Sequence, residues 1–150
     1  MPQPTTTPIG VVLTRTAKTA SRAFDQALAT AGGSQPVWQI LISLKTHPVA
    51  NQRQLADAVG IQGATLTHHL NAMETTGLVT RRRDPDNRRV HLVELTDDGE
   101  QLFHRLATAA IAHDQRLRRG LTDTEITQLT DLLHRLTANV TDPEKRSTQQ

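Results

Sequence analysis

Residues 51 to 95 read NQRQLADAVGIQGATLTHHLNAMETTGLVTRRRDPDNRRVHLVEL, and the fold turns on this stretch. Asn51 followed by Gln54 is the pattern of a helix cap with its reciprocal partner, since the Asn oxygen can accept the Gln54 amide while the Gln side chain returns to the cap. A short helix through Leu55, Ala56 and Val59 then stops at Gly60. After the tight turn Gly60-Ile61-Gln62, residues Gly63 to Thr76 carry Leu66, Leu70 and Met73 on one face, with Gly77 in the position of a terminating glycine. Two short helices joined in this way form a helix-turn-helix pattern. Leu78 to Arg83 and Arg89 to Leu95 are short Val- and Leu-containing stretches around Asp84-Pro85-Asp86-Asn87-Arg88, which is rich in turn formers. They predict a two-stranded hairpin with a basic tip. A helix-turn-helix followed by a hairpin is a winged helix, whose second helix fits a major groove while the hairpin reaches the neighbouring backbone or minor groove.

Helices flank this region on both sides. Upstream, Ile9, Leu13, Ala17 or Thr16, Ala20, Phe24, Ala27 and Ala31 recur at helical spacing until Gly32-Gly33. Ser34 and Pro36 suit a new helix start, and Val37, Ile40, Leu41 and Leu44 give that helix one apolar face before His47-Pro48. Downstream, Thr96 with Asp97 and Asp98 opens a helix whose buried side is marked by Leu102, Phe103, Leu106, Ala110, His113 and Leu117, closed by Gly120. Thr122 and Glu125 form a capping box for a last helix with Ile126, Leu129, Leu133, Leu136 and Val140 along one seam, and Pro143 ends it. The expected architecture is mainly α with a small β-hairpin. A winged helix-turn-helix region at 34–95 lies between dimerisation helices at 8–31 and 96–141, all within a single domain 1–150 with flexible tails at 1–7 and 142–150.

Composition narrows the function classes. A chain of 150 residues, 36% hydrophobic and 21% charged, suits one soluble unit with a single core. No apolar run approaches the ~20 residues of a spanning helix, and the opening Met1 to Thr7 lacks a basic start and an apolar stretch, so the expected location is cytoplasmic, with no membrane partner. The absence of cysteine removes disulfides, thiolate metal sites, thiol nucleophiles and thiol switches together. Phe24, Trp38 and Phe103 are the only aromatics, so the core has to be aliphatic. Nothing matches His-Glu-x-x-His, a Gly-rich phosphate loop or a serine elbow, which argues against an enzyme. No metal site is expected: His104 and His113 stand nine apart on one helix, and His68 and His69 diverge by about 100°. No cofactor is expected either.

The formal net charge of +2 conceals a split of +3 over residues 1–46, +2 over 47–93 and −3 over 94–150. Its sharpest point is residues 81–91, where Arg81, Arg82, Arg83, Arg88 and Arg89 face only Asp84 and Asp86. Arginine suits such a place, because its planar fork grips phosphate oxygens and it is attracted into a narrow minor groove.

Gln54 to Gly99 resembles the MarR family of bacterial transcription regulators. The matching residues are Leu55-Ala56, Thr65, Thr67, Met73-Glu74, Gly77-Leu78-Val79, Asp84-Pro85, Arg88-Arg89, Leu95-Thr96 and Gly99, and the flanking helices extend the likeness from Ile9 to Val140. The resemblance implies an obligate homodimer, joined through its first and last two helices, that binds a pseudo-palindromic operator in double-stranded DNA and is usually a repressor. It also implies a small aromatic or anionic effector bound between the dimer helices and the winged region, for which the candidates are Arg15, Arg22, Trp38, Phe103 and His104. The chain departs from the family pattern at Asn87, where many members carry an Asp that is salt-bridged within the wing and where Asp86 or Asp84 could substitute. It departs again at His68 and His69, where members often have Arg and an apolar residue.

The DNA-binding candidates are Thr65, Thr67, His68 and Asn71 on the second short helix, with threonine methyls for thymine and Asn for adenine. Arg88 is read for the minor groove, Arg89 for phosphate or an acid pair, and Arg81 and Arg83, on one strand face, for phosphate. His69 lies nearer the packed side. The seam of the last helix and the alanine stripe of the first offer more apolar surface than the winged region covers, which a second copy would bury. The rival reading is a winged-helix protein–protein interaction module without specific DNA binding.

Overall fold

A computed structural model describes residues 6–141 of the chain. Among these, six helices and three strands follow in the order α1 (Ile9–Thr30), α2 (Gln35–Thr46), β1 (Val49–Asn51), α3 (Gln52–Val59), α4 (Gly63–Thr75), β2 (Val79–Arg83), β3 (His91–Leu95), α5 (Asp97–Arg118) and α6 (Asp123–Thr141). The residues up to His113 form one compact unit and those from Asp114 a second. Apart from Thr6 and Thr7, the expected tails lie outside the described residues, as does Pro143.

Local chemistry sets the element ends. Ser34 accepts the Val37 amide at 3.4 Å and is followed by Pro36 in the first turn of α2. At α3 the Asn51 oxygen accepts the Gln54 amide at 2.7 Å, and Gln54 Oε1 accepts the Asn51 amide at 3.4 Å, the reciprocal pair expected from the sequence. Thr122 and Glu125 repeat that pattern ahead of α6, at 3.1 and 2.7 Å. Asp97, Asp98 and Glu100 in the first turn of α5 and Arg116 and Arg118 in its last turn complement the helix dipole.

The sheet runs β1-β3-β2, antiparallel throughout, with Ala50 opposite Val93 and Arg81 opposite Val93 on the other side. The expected hairpin is present, and β1 adds a third strand to it. The three residues from Val49 to the capping Asn51 are too few to show an alternating pattern, and their partners lie in a strand far along the chain.

In the first unit Leu28, Ile40, Leu41, Leu44, Leu55, Leu66, Leu70, Met73, Val79, Val93, Leu102 and Leu106 make the core. It is aliphatic but for one methionine, as the scarcity of aromatics requires; Phe24, Trp38 and Phe103 pack against it half-buried. The last buried position on α5 is Leu106, so Leu117, expected on the packed side, is exposed instead. On α1, Ile9 and Val12 are exposed, and on α5 Ile111 is 60% exposed. In the second unit α6 buries no residue at all: Leu129 is 48%, Leu133 38% and Val140 80% exposed.

Two glycines tie α5 to its neighbours. Gly33 sits against the Leu106 side chain, where an added Cβ would come within 2.6 Å of Leu106 Cδ1. Gly99 sits against the Leu78 carbonyl, with no room for any Cβ. Around Gly99, the Thr96 amide donates to Leu78 O at 3.1 Å, the Thr96 hydroxyl donates to Gly77 O, and Thr96 Oγ1 accepts the Gly99 amide at 3.1 Å. One threonine thereby caps α5 and anchors it to the turn that leaves α4.

Candidate nucleic-acid interface

Packing of Leu66, Leu70 and Met73 fixes which side of α4 faces outward. Thr65, His68 and Asn71 are exposed there, while His69 is half-buried with its ring 5.7 Å from that of His68. Thr67 is also half-buried. Its hydroxyl donates to Gly63 O at 2.9 Å and accepts Gln52 Nε2 at 2.6 Å, so its methyl is what remains to meet a ligand. Gln62, at the N-cap of α4, makes no side-chain cap bond, which leaves first-turn amides of this helix open to an acceptor.

Arg81 is half-buried beside α4. Its Nη2 donates to Asn71 Oδ1, and Glu74 accepts from its Nε at 3.3 Å and its Nη2 at 3.2 Å. The Arg81 guanidinium, through these bonds and its charge, holds the Glu74 carboxyl below its usual pKa of 4.5 against a smaller opposing effect of burial. Arg81 is therefore engaged inside the chain, and its partners join the helix to the first strand of the wing. Arg82, on the opposite face, pairs with Glu94 at 3.2 Å. Arg83 Nη1 donates to the Arg88 carbonyl at 3.3 Å.

The wing tip is built from backbone caps. Asp84 Oδ1 accepts the Asp86 amide at 2.9 Å, Asn87 Oδ1 accepts the Arg89 amide at 3.2 Å, and the Val90 amide donates to Asn87 O at 2.9 Å. Asn87 performs this capping without a charge, and no ion pair closes the tip among the described residues. Arg88 and Arg89 are exposed, with no side-chain hydrogen bond or ion pair among the described residues.

Between α3, the start of α4 and the tip end of β3 lies an open groove of about 800 Å³, lined by Gln52, Arg53, Gln62, Thr67, Arg89 and His91 among others. It brings Thr67 and Arg89 together, and adds Gln52, Arg53 and His91, which the sequence reading missed. Gln52 and Arg53 directly follow the capping Asn51, so their place at an exposed helix start was the available signal.

A second cluster lies in the same unit. The rings of Trp38 and Phe103 stack at 5.6 Å, Lys45 Nζ stands 5.3 Å over the Phe103 ring, and Lys45 and His104 reach Glu100 at 2.9 and 3.8 Å. Three of the five effector candidates, Trp38, Phe103 and His104, thus stand together, joined by Lys45 and Glu100. Arg15 and Arg22 are exposed on α1, with no bond to this group among the described residues.

Among the described residues, no helix is long and apolar enough to cross a membrane, and no three His, Asp or Glu side chains gather as a metal-binding group. The MarR family model matches residues 34–91. A putative transcriptional regulatory protein for the hcr operon of Thauera aromatica is 30% identical over 129 residues, covering 85% of this chain and 78% of that protein. The PcaV transcriptional regulator from Streptomyces coelicolor has the same fold, with a TM-score of 0.81 at 24% identity, over 89% of this chain and 97% of that one. The transcriptional repressor CouR, solved on a 23-mer DNA duplex, is similar with a TM-score of 0.77 at 27% identity, over 87% of this chain and 92% of that one.

Proposed function

The chain belongs to the MarR family, and from that premise we propose that it is a homodimeric, sequence-specific DNA-binding regulator, a repressor released by a small molecule. The observation that carries the reading is the pairing of an uncapped α4, polar on its outer face, with the unpaired Arg88 and Arg89 at the wing tip. In a duplex, α4 enters the major groove with Thr65, the Thr67 methyl, His68 and Asn71 toward the base edges, and phosphates meet the open first-turn amides. Arg88 takes the minor groove, Arg83 and Arg89 take phosphates, and Arg81 acts through Asn71.

Dimerisation through residues 8–31 and 96–141 gives the exposed Ile9, Val12, Ile111, Leu129 and Leu133 a partner. Two copies of α4 then stand about 34 Å apart, facing half-sites one helical turn apart on a pseudo-palindromic operator. The Trp38, Phe103, Lys45 and His104 group suits an aromatic anion, with rings to stack on and the Lys45 ammonium to pair with, and Arg15 and Arg22 are further candidates on α1. Such a regulator acts in the cytoplasm, where the DNA is.

The test is a gel shift and footprint of the purified protein on the DNA upstream of its own gene. A protected, two-fold related sequence that resists competing random DNA is the expected outcome. Weak, salt-sensitive and sequence-indifferent binding refutes the reading in favour of a protein-docking module. Titration with an aromatic carboxylate such as salicylate, followed through the fluorescence of Trp38, tests the effector site; an unchanged signal and an intact DNA complex at saturating probe refute it.

A further inference from the structure

The way an asparagine amide is turned decides which base edge it can meet, because one end accepts and the other donates. At Asn71 the choice is fixed from within the chain. A guanidinium carries donors and no acceptor, so the end of the amide turned to Arg81 has to be the oxygen, and Arg81 Nη2 does donate to Asn71 Oδ1. Glu74, one turn further along α4, grips the same guanidinium with both carboxylate oxygens, at Nε and Nη2. The Arg81 side chain is only 19% exposed, so packing holds it as well. Asn71 itself is exposed, and its Nδ2 makes no hydrogen bond among the described residues.

We propose that Glu74 and Arg81 are positioning residues that hold the Asn71 amide with its donor end free, so that α4 selects a base whose major-groove edge carries acceptors and no donor, guanine or thymine, over adenine. The inference rests on the DNA-binding reading above and deepens it. Adenine presents an N6 donor beside the N7 acceptor, and asparagine covers both only if its oxygen and nitrogen lie side by side on that edge. A charge-assisted bond turns Oδ1 toward Arg81 and so disfavours that side-by-side arrangement. Guanine, with N7 and O6, and thymine, with O4, ask only for the donor, whereas at adenine the same donor can reach N7 only beside an N6 donor that it repels and leaves unmatched. The adenine contact expected from the residue type alone is thereby replaced by its opposite.

The experiment selects binders from a randomised duplex library with the full-length protein and compares wild type with Asn71→Ala, Glu74→Gln and Glu74→Ala. Glutamine keeps the size of Glu74 and one acceptor but loses the paired carboxylate, so it covers the case in which the alanine variant folds poorly. In the wild type, one position in each half-site is expected to favour guanine or thymine over adenine by about fivefold, the worth of one hydrogen bond. Asn71→Ala erases that preference. The Glu74 variants let adenine recover there by about threefold or more while other positions keep theirs, which a general loss of stability would not do. Adenine preferred at the Asn71-dependent position overturns the proposal. So does a uniform loss of affinity in Asn71→Ala, or an unaltered preference in both Glu74 variants. A wild-type protein that enriches no sequence at all refutes the DNA-binding reading itself, a result separate from these.

Discussion

A single methyl group added at Gly99 tests how α5 is joined to the α4–β2 turn. The new Cβ would fall on the Leu78 carbonyl and stand 3.1 Å from Leu95 Cδ2. Leu78 O cannot retreat freely, because it accepts the Thr96 amide at 3.1 Å, and Thr96 in turn holds Gly77 O and the Gly99 amide. Forcing a methyl into a packed site costs about 1–3 kcal/mol. Loosening one of the Thr96 bonds adds about 1 kcal/mol. Alanine recovers up to about 1 kcal/mol over glycine within a helix. The net expectation for Gly99→Ala is a loss of roughly 1–3 kcal/mol, or a fall in Tm of roughly 2–12 °C for a chain of this size. Thermal melting by circular dichroism at fixed protomer concentration reads it, since association would shift Tm with concentration. Gly63→Ala is the control: nothing lies within 4 Å of its added Cβ, so its Tm should hold or rise. A Gly99→Ala protein that melts at or above the wild-type temperature refutes the close approach and the coupling drawn from it.

Arg88→Ala should weaken binding to the protein's own operator by about 1–3 kcal/mol and lower the salt slope by about one; equal affinity and slope in a salt titration would take Arg88 out of the interface. Leu129→Asp with Leu133→Asp should convert a particle of twice 16.5 kDa into one of 16.5 kDa by light scattering while leaving the helix signal intact, because both side chains are exposed in the single chain; a persistent dimer counts against α6 as the interface. The Arg81 pairing lowers the Glu74 pKa, so its stabilising effect is present above the ordinary value of 4.5 and fades as pH falls through the lower folded value. Denaturation of wild type and Glu74→Gln should differ by a constant amount above about pH 5.5 and converge under acid; a gap that widens as pH falls has the wrong sign.

What the sequence made legible is what short-range chemistry decides. The Asn51–Gln54 and Thr122–Glu125 boxes and the Thr96 cap each join residues three apart and form as read, because both partners belong to one turn of helix. The α4 stripe of Leu66, Leu70 and Met73 is buried as its spacing requires. Contacts set by the meeting of separate elements were hidden. Arg81 reads as one cation in a basic run until the departure of β2 from α4 carries it back to Glu74 and Asn71. Lys45 and Glu100 are 55 residues apart, so Lys45 could not be linked to Glu100 or Phe103 in advance. Composition named Trp38 and Phe103, but only the approach of α2 to α5 stacks them. β1 escaped because its hydrogen-bonding partner is supplied by β3, after the whole helix-turn-helix has been threaded.

With β3 in the middle, β1 and β2 are the two open edges of the sheet. An open edge is a template for another strand, and one that is long, flat and apolar invites fibres. β1 is three residues long and follows a proline, which gives an incoming strand little to pair with. β2 is longer, but Arg81, Arg82 and Arg83 stand on it in succession, and a second copy laid along it would set arginine against arginine. A run of like charges along the one edge long enough to pair thus works against the growth of one copy's sheet into another's.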